Sequence, residues 1–196
     1  MSYRVNEIFL SLQGEGFWTG TPMVFLRFSG CNLACPFCDT SHREYKEMSA
    51  SGIVAAVVEA AGECRRVCIT GGEPALQMDK DLVEALHAAG FKLHIETNGT
   101  IAVPEGLDWI TVSPKEGFVK GARTVIQRAD ELKLVFDSNV DPSPWAGFPA
   151  TWYFLQPCDT GDREKNAGIV ASAVEYILRH PVWRLSVQAH KFLGIR

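Results

Sequence analysis

The sequence predicts an α/β protein with a mostly parallel sheet. Short apolar runs of strand length alternate along the chain with segments whose apolar residues recur at helical spacing. Such alternation is typical of strands joined by crossover helices, which make neighbouring strands parallel. A second observation favours the same class, because most of the predicted strands end in glycine or in polar residues, as strands that share one functional edge do.

The predicted strands are apolar runs bounded by glycine, proline or polar turns. Residues 4–12 alternate weakly and are predicted to form an edge strand or arm. The first core strand is predicted over residues 22–29, where Arg27 interrupts an apolar run and requires a partner if it is buried. The remaining strands are predicted over residues 66–70, 91–96, 108–112, 132–136, 152–155 and 183–188.

Helices are predicted where apolar stripes follow a capping residue. They cover residues 52–61, 79–89 and 162–179. Ser49 or Ser51 can cap the first helix. Three prolines exclude a useful helix from residues 137–150, and the segment before residue 132 is only weakly helical. The last helix is expected to place on one side Ile169, Val170, Ala173, Val174 and Ile177.

Length and composition favour one compact domain. The chain has 196 residues, of which 46% are hydrophobic, and we predict a single domain over residues 1–196. The formal charge of −4 lacks the basic excess of a nucleic-acid surface, so no nucleic-acid partner is expected. The N-terminal residues lack a signal-peptide pattern and no run has the length of a membrane span, which predicts a cytoplasmic protein without membrane association.

Polar residues follow several predicted strands at the same relative place. Because the carboxyl ends of parallel strands meet at one edge, this pattern predicts a single active site there. Ordinary polar turns would explain the glycines, but they explain less well a Glu, a Lys, a Gln and a His in equivalent positions. The segments are Gly30-Cys31, Thr70-Gly71-Gly72-Glu73, Thr97-Asn98, Ser113-Pro114-Lys115, Gln156 and His190.

Cys31, Cys35 and Cys38 lie in one short loop after the strand predicted over residues 22–29. Three thiolates on so tight a loop can hold three irons of a 4Fe–4S cluster and leave one iron without a protein ligand. Clusters used only for electron transfer are normally held by four ligands. The open iron is therefore a binding position for another molecule.

Two other interpretations of the cysteine loop stay open. His42 is a possible fourth ligand of a zinc site, although structural zinc sites usually use two separated pairs of ligands. A disulfide is disfavoured because nothing else in the chain is typical of a secreted protein. The scattered Cys64, Cys68 and Cys158 are predicted to be buried small apolar residues.

The cysteine spacing and the open iron resemble the signature of the radical S-adenosylmethionine (SAM) superfamily. The segment TGGEP (70–74) resembles the glycine-rich segment of the same superfamily. This resemblance implies a partial (β/α) barrel of about six mostly parallel strands, with the cysteine loop after the first barrel strand. Further segments resemble the 7-carboxy-7-deazaguanine synthase family from residue 6 to the C-terminus: LQGEG (12–16), FCDT (37–40), IETNGT (95–100), VSPK (112–115), ELK (131–133), LQP (155–157) and the tail over 183–195.

That family converts 6-carboxy-5,6,7,8-tetrahydropterin to 7-carboxy-7-deazaguanine with loss of ammonia, in the biosynthesis of 7-deazapurines such as queuosine. The resemblance therefore implies a radical SAM lyase that uses a 4Fe–4S cluster, SAM as a reusable cofactor, and Mg²⁺. One electron from the cluster cleaves SAM, and the 5′-deoxyadenosyl radical abstracts a substrate hydrogen to start ring contraction. The implied partners are a small pterin substrate, reduced flavodoxin or ferredoxin as electron donor, and a second copy of the chain in a homodimer.

The resemblance also implies roles for individual residues. The cluster ligands would be Cys31, Cys35 and Cys38, and Thr40 would give an oxygen to Mg²⁺. SAM would be lined by Phe37, Cys38, Asp39, Gly72, Glu73, Ser113, Pro114, Lys115 and Gln156. The pterin would be contacted by Leu12, Gln13, Gly14, Glu15, Arg27, Thr70, His190 and Arg196. The substrate carboxylate or the pterin carbonyl would then be the partner that Arg27 requires.

Two positions depart from the family pattern. Family tails commonly end in a proline whose terminal carboxylate reaches the substrate, whereas residue 196 is arginine. The sequence Gln-Thr-His of close relatives is Gln188-Ala189-His190 here, which lacks one hydroxyl. Two alternative functions are an activating enzyme that places a radical on a protein glycine, which shares only the cysteine motif, and a non-enzymatic iron–sulfur or zinc module.

Overall fold

One nine-stranded sheet runs through the computed structural model, which describes residues 2–41 and 43–196. Its strands are β1 (Ser2–Leu12), β2 (Pro22–Phe28), β3 (Lys46–Ser49), β4 (Arg66–Gly71), β5 (Lys92–Thr97), β6 (Trp109–Val112), β7 (Ala129–Phe136), β8 (Ala150–Pro157) and β9 (Trp183–Leu185). Their order in the sheet is β3-β1-β2-β4-β5-β6-β7-β8-β9. The β1 strand is antiparallel to β2 and β3, whereas every pairing from β2 to β9 is parallel. The sheet stays open, which confirms the α/β partial-barrel class.

Four α-helices connect or follow the strands. They are α1 (Ala50–Ala61), α2 (Lys80–Ala88), α3 (Arg163–Arg179) and α4 (Ala189–Leu193). Ser49, not Ser51, caps α1, since its Oγ accepts a hydrogen bond from the Gly52 N–H at 3.1 Å. Asp79 and Asp162 cap α2 and α3 in the same way, which satisfies amide groups that a helix leaves unpaired. None of the helices in the described part of the chain has the length and apolar character needed to span a bilayer.

The apolar core has two parts on the outer face of the sheet. The larger part packs α1 and α2 against β1, β2, β4 and β5 through fully buried residues such as Leu26, Ile53, Leu82 and Ile95. The smaller part packs α3 against the other half of the sheet around Trp183, which is 2% exposed. Because the core occupies the outer face, the inner face and the strand ends are left to polar residues. The single sheet fits the predicted single domain, which stays a prediction.

The first strand was predicted as an edge strand or arm, which is correct for most of its length. Over residues 4–12 only Arg4 and Val5 are covered, because β3 (Lys46–Ser49) pairs with Ser2–Val5, and the rest of the run pairs with β2 alone. The β3 strand has four residues, two of them charged, and carries no apolar run that sequence patterns detect. The β7 strand begins at Ala129 rather than at residue 132 because the charged Glu131 is part of it.

The predictions for two helical segments were also incomplete. In α3, Ile169 and Ala173 are buried as expected, but Val170 and Val174 are exposed because the helix packs along a narrow seam. Residues 113–128, all of them described, form turns and contain no helix, so the weak helical pattern there was wrong. The strand predicted over residues 183–188 is shorter, since β9 ends at Leu185, and no helix was predicted where α4 follows it.

Candidate active site

The carboxyl ends of the parallel strands border a cavity of about 310 Å³. Eight segments that are distant in the sequence meet there: the turn after β1, the loop after β2, the ends of β4, β5, β7 and β8, the residues after β6, and α4. The predicted site residues that border the cavity are Leu12, Gln13, Gly14, Glu15, Arg27, Cys31, Cys35, Phe37, Cys38, Asp39, Thr40, Thr70, Gly72, Ser113, Lys115, Gln156, His190 and Arg196. The strand-end pattern therefore located one site.

The three loop cysteines belong to a segment, residues 31–40, that we call the cluster loop. Cys31 and Cys35 are half-buried and Cys38 is exposed, and all three border the cavity. Burial raises the pKa of the Cys31 thiol and of the Cys35 thiol. Binding to iron requires the thiolate form. A metal would therefore have to displace the thiol protons and offset the free-energy cost of forming thiolates in a half-buried position.

Two glycines let the end of β4 approach the cluster loop closely. Gly71 has a φ of +132°, and the Gly72 N–H donates to the Phe28 carbonyl at 3.1 Å. A Cβ atom on Gly72 would lie 2.1 Å from the Gly30 oxygen and 3.0 Å from the Cβ of Cys31. A side chain at this position would therefore push the first cysteine out of place. Three thiols that open into one cavity, fixed at one end by this contact, fit a 4Fe–4S cluster with three protein ligands.

A single metal ion fits the cluster loop less well. Among residues 2–41 and 43–196, no three His, Cys, Asp or Glu side chains gather closely enough to hold one ion. A 4Fe–4S cluster does not require such a group, because each thiolate binds a different iron. His42, the alternative zinc ligand, lies outside the described residues.

Glu73 supports the cavity from behind. Its carboxylate is fully buried and accepts hydrogen bonds from the Thr97 hydroxyl and the Asn98 N–H, both at 2.7 Å. The Asn98 side chain then donates to the Asn32 side chain in the cluster loop at 3.1 Å. Burial raises the pKa of Glu73 despite these donors. Glu73 thus joins the ends of β4 and β5 to the cluster loop and does not itself border the cavity.

The segment Gln13–Phe17, which we call the substrate turn, is held by its neighbours at nearly every residue. The Gln13 side chain accepts from the Glu15 N–H at 3.1 Å, and the Ala189 N–H donates to the Gly14 carbonyl at 2.9 Å. A Cβ atom on Gly14 would lie 2.2 Å from Nδ1 of His190. Glycine at position 14 therefore allows α4 to pack directly on the turn, so the turn and the helix form one wall of the cavity.

Four charged residues, which we call the polar floor, lie beneath the substrate turn: Glu15, Glu96, Glu131 and Lys133. The Lys133 ammonium contacts Glu15 Oε2 at 2.8 Å and Glu96 Oε2 at 2.7 Å. Glu131 is 2% exposed, and its Oε2 accepts from the Phe17 N–H at 3.1 Å. Glu15 and Glu96 are about one-fifth exposed toward the cavity, whereas Lys133 and Glu131 lie deeper.

Charge pairing separates the pKa values of the three carboxyl groups. Burial alone would raise the pKa of Glu15, but Lys133 and the Gln188 amide lower it to about 2. At the other two groups burial outweighs the attraction of Lys133. Burial therefore raises the pKa of Glu96, and it raises the pKa of Glu131 to about 7. The surrounding carboxylates overcome burial at Lys133 and raise its pKa well above the ordinary value. Glu15 is therefore a carboxylate at neutral pH that can accept hydrogen bonds from a ligand.

Arg27 has a protein partner that the sequence interpretation missed. Its Nε donates to Glu7 Oε1 at 2.8 Å, and the Arg196 guanidinium pairs with the same carboxylate. Arg196 also lies over the ring of Phe9, 4.5 Å from its centroid. The Ser11 hydroxyl donates to the main-chain oxygen of Arg196 at 2.6 Å. One carboxylate thus holds two guanidinium groups at the cavity wall.

Lys115 is a buried cation that borders the cavity. Its ammonium donates to the Ser113 carbonyl at 2.5 Å and to the Ser113 hydroxyl at 2.6 Å. Burial lowers its pKa to about 8, with Cys35 and Glu15 among the groups that oppose the shift. Pro114, between these two residues, is buried and does not border the cavity. Lys115 is therefore a cation positioned between the cluster loop and the polar floor.

The cavity mouth is closed on one side by ion pairs that involve α4. Lys191 contacts Asp39 at 2.8 Å and Asp159 at 2.9 Å. Asp39 directly precedes Thr40, which borders the cavity together with His190. The helix that packs on the substrate turn is therefore also tied to the end of the cluster loop.

Comparison with known proteins identifies the family. Residues 26–135 match the family model described as the radical SAM superfamily. Two relatives named 7-carboxy-7-deazaguanine synthase match the full length of this chain and of their own chains: one from Bacteroides thetaiotaomicron with 47% identity and one from Bradyrhizobium diazoefficiens with 46%. The chain belongs to the 7-carboxy-7-deazaguanine synthase family of radical SAM enzymes.

A solved structure agrees with this assignment. The crystal structure of QueE from Escherichia coli superposes with a TM-score of 0.81 at 28% identity, over 97% of this chain and 95% of that chain. The match covers both halves of the sheet, so the open parallel architecture is shared over the whole length. Membership of the family gives a 4Fe–4S cluster and SAM as cofactors.

Within this family member, sequence reasoning missed several polar residues of the cavity. Glu96 and Lys133 were placed in apolar strand runs, and no motif drew attention to Gln188 or Lys191 individually. Cys68 and Cys158 are buried, as predicted, but they also border the cavity, whereas Cys64 is only half-buried. Glu96 and Lys133 share one sequence feature with Arg27, which is a charged side chain inside an otherwise apolar predicted strand. That feature could have indicated that they border the cavity.

Proposed function

We propose that this chain converts 6-carboxy-5,6,7,8-tetrahydropterin to 7-carboxy-7-deazaguanine with loss of ammonia. One observation carries the proposal: the three cysteines, in the loop after β2, and residues 12–15 of the LQGEG segment, at the end of β1, border the same cavity. The full-length relatives from two bacteria named 7-carboxy-7-deazaguanine synthase support the same reaction. The product belongs to the route to 7-deazapurines such as queuosine.

Cys31, Cys35 and Cys38 would hold the cluster, which together with SAM supplies a 5′-deoxyadenosyl radical that takes a hydrogen atom from the substrate. Gly72 borders the cavity beside the first cysteine, where SAM would bind, and the Gly30 carbonyl and the Cβ of Cys31 fill the space that a side chain would need. Glu73 and Pro114 would act from behind this wall because both are buried. The residues that would line SAM are Phe37, Cys38, Asp39, Gly72, Ser113, Lys115 and Gln156.

The substrate turn and the polar floor suit the edge of a pterin. A pterin presents N–H donors along its pyrimidine edge, and Glu15 is an ionised acceptor that faces the cavity. Arg27 offers the part of its guanidinium that Glu7 does not occupy to the substrate carboxylate. The other residues proposed to contact the substrate are Leu12, Gln13, Gly14, Thr70, His190 and Arg196.

Mg²⁺ is proposed to bind beside Thr40. A hydroxyl at the end of the cluster loop can orient one ligand of a metal that also holds the substrate carboxylate, and Mg²⁺ retains several waters in such sites. Thr40 borders the cavity between Asp39 and the α4 side, as this role requires.

Replacing Thr40 by Val tests the Mg²⁺ proposal. We expect Thr40→Val to keep the cluster and SAM binding while lowering product formation and its response to added Mg²⁺. Thr151→Val, the same change at an exposed position of β8 outside the cavity, is the matched control and should keep the wild-type response. Full activity of Thr40→Val with unchanged Mg²⁺ dependence would show that Thr40 is no metal ligand, and loss of the cluster would assign it a structural role.

The proposed partners follow from the chemistry and from the surface. A low-potential one-electron donor is required, and we propose reduced flavodoxin or ferredoxin in the cytoplasm. A homodimer is proposed because Leu178 is 78% exposed and Phe192 is 92% exposed, which leaves apolar surface uncovered near the C-terminal end of the chain. Light scattering that shows a monomer at micromolar concentrations would contradict the homodimer.

Anaerobic reconstitution tests the proposed reaction. The reconstituted protein with a reductant, SAM, Mg²⁺ and the tetrahydropterin is expected to release 7-carboxy-7-deazaguanine and one ammonia for each pterin consumed. Cleavage of SAM with no consumption of pterin would favour the glycyl-radical activating alternative. Protein that binds zinc and no iron would instead support a non-enzymatic module. The products are measured by liquid chromatography with mass detection.

A further inference from the structure

Ser186 connects two walls of the cavity that the proposed function assigns to different ligands. Its hydroxyl oxygen accepts a hydrogen bond from the Gly16 N–H at 2.9 Å, and its hydroxyl proton is donated to Gln156 Oε1 at 2.9 Å. Gln156 lies at the end of β8 on the wall proposed for SAM, whereas Gly16 belongs to the substrate turn. Ser186 itself does not border the cavity and is 2% exposed.

The position of Ser186 is fixed independently of these two side-chain contacts. Its backbone N–H donates to the Leu155 carbonyl at 2.9 Å, which holds the residue against β8 just after β9 ends. A serine hydroxyl has one proton to donate, so the Gln156 bond uses the donor and the Gly16 bond uses a lone pair. With its backbone fixed, the hydroxyl can satisfy both neighbours only while their present separation is kept.

We infer that Ser186 is a positioning residue that couples SAM binding to pterin binding. This inference rests on the proposed function, because it assigns SAM to Gln156 and the pterin to the substrate turn. SAM bound to Gln156 restricts the motion of the Ser186 hydroxyl and of the Gly16 N–H that donates to it. The substrate turn, already held by its other contacts, then loses less freedom when the pterin binds, so each ligand raises the affinity for the other.

Glu131 holds the same turn at the next peptide group but does not provide this link. Its carboxylate accepts from the Phe17 N–H, and its other neighbours are Lys133 and the remaining residues of the polar floor. It makes no hydrogen bond to the SAM wall among the bonds of the described residues. Ser186 bonds to both walls through one hydroxyl, whereas α4 reaches them through separate residues, Ala189 to Gly14 and Lys191 to Asp39. The coupling through Gln156 should therefore depend on the Ser186 hydroxyl.

Binding measurements on the reconstituted holoenzyme test the inference without turnover. The SAM dissociation constant is measured anaerobically by calorimetry, with and without the tetrahydropterin, in the absence of reductant so that SAM stays intact. In the wild-type protein we expect the pterin to tighten SAM binding by about fivefold or more. Ser186→Ala should lose most of this factor, because Gly16 and Gln156 no longer share a partner.

Three further variants keep the test decisive. Ser186→Cys fills the same volume with a poor hydrogen-bonding group and should also lose the coupling, even if Ser186→Ala does not fold. Ser186→Thr keeps the hydroxyl and should keep the coupling. Tyr153→Phe is the matched control: it removes a hydroxyl that donates to the Phe148 carbonyl from the same strand as Gln156, on the outer face of the sheet. It should leave the coupling unchanged.

The outcomes separate the inference from the proposed function. If Ser186→Ala and Ser186→Cys keep the wild-type coupling factor, or if SAM binds equally well with and without pterin to the wild type, the inference is wrong while the reaction stands. The inference is also wrong if both variants weaken SAM binding but leave the effect of pterin intact. If wild-type holoenzyme binds SAM and neither binds nor converts the pterin, the proposed function fails instead.

Discussion

The polar floor and the cluster loop face each other across one cavity, yet their groups are stabilised in opposite ways. In the polar floor, Lys133 is 6% exposed at its side chain and contacts two carboxylates. In the cluster loop, the residues alternate between half-buried and exposed, and the Cys31 sulfur accepts only a long contact from the Leu33 N–H at 3.4 Å. Protein contacts therefore fix the polar floor, whereas little protein structure holds the sulfur atoms.

This difference indicates where each half of the site obtains its order. Charges buried together in a folded barrel are positioned before any ligand binds, because moving them apart would leave them unpaired. Thiols on an exposed loop obtain their final geometry from the metal that they bind, and metal binding and loop ordering are then one event. We expect substitutions in the two regions to separate cofactor binding from folding.

Cys31→Ala gives the largest expected effect, and it is confined to the cofactor. We expect loss of bound iron and of SAM cleavage, because the remaining two thiols cannot hold the cluster. The free energy of unfolding of the iron-free protein should change by about 1 kcal/mol or less, as for other partly exposed positions. Iron and sulfide analysis, SAM cleavage and urea denaturation measure the three quantities.

Cys64→Ala is the matched control, since Cys64 is half-buried outside the cluster loop. It should keep its iron and its activity. A Cys31→Ala protein that keeps a full complement of iron would contradict the cluster assignment. An iron-free Cys31→Ala protein that loses several kcal/mol of stability would instead break the contrast between the two regions.

The cluster loop was predictable from sequence because its chemistry is local. The loop has three cysteines within eight residues, followed by Asp39-Thr40, and this spacing alone indicates a site for a metal cluster. The glycines after β4 were equally visible, because a close backbone approach requires glycine wherever it occurs. For the same reason a turn was predicted at residues 12–16, where the structure has one beside the cavity, although its contacts with α4 were not predicted.

The polar floor was not predictable from sequence because its partners are far apart along the chain. Glu15, Glu96 and Lys133 meet only after three strands and a turn have been assembled. The strand predicted over residues 132–136 followed a weakly helical segment and so left out Glu131, which the structure places inside β7. The edge strand β3 was missed for the related reason that its pairing with β1 is long-range.

Lys133→Met gives the second-largest effect and tests whether the polar floor depends on its one cation. The change leaves Glu15 and Glu96 without the ammonium that contacts both carboxylates, and it removes the positive charge that lowers the pKa of Glu131. Removing one partner of a buried ion pair lowers the free energy of unfolding by about 3–5 kcal/mol. Urea denaturation of the iron-free protein at neutral pH measures this loss.

Lys92→Met is the control for loss of a lysine as such. Its ammonium contacts Asp108 at 2.8 Å, but its side chain is 63% exposed, so the change should be about 1 kcal/mol or less. Equal losses of the free energy of unfolding in the two variants would show that the polar floor depends on its ion pairs no more than the surface does. The polar floor and the cluster loop would then not differ in how they are stabilised.

Glu131→Gln is expected to give the smallest of these changes in the free energy of unfolding. It tests the polar floor through the pH dependence of stability. Burial raises the pKa of Glu131 to about 7 in the folded chain, above an ordinary value of 4.5. The charged groups that face it are Glu15 from the substrate turn, Glu96 from β5 and Lys133 from β7. Between these two pKa values the folded state holds a proton that the unfolded state has released, so wild-type stability should fall as the pH rises from about 5 to 8.

The comparison of Glu131→Gln with the wild type isolates this one proton. Glutamine cannot ionise and still offers an oxygen to the Phe17 N–H, so the variant should match the wild type near pH 5 and be more stable by about 1–3 kcal/mol near pH 8. Denaturation curves across this range measure the difference, with Glu164→Gln on the exposed start of α3 as the control that should show no such trend. The opposite result would be a free energy of unfolding of the wild type that rises with pH when compared with that of Glu131→Gln. It would mean that Glu131 is ionised in the folded chain, so that Lys133 is the one cation beside three carboxylates.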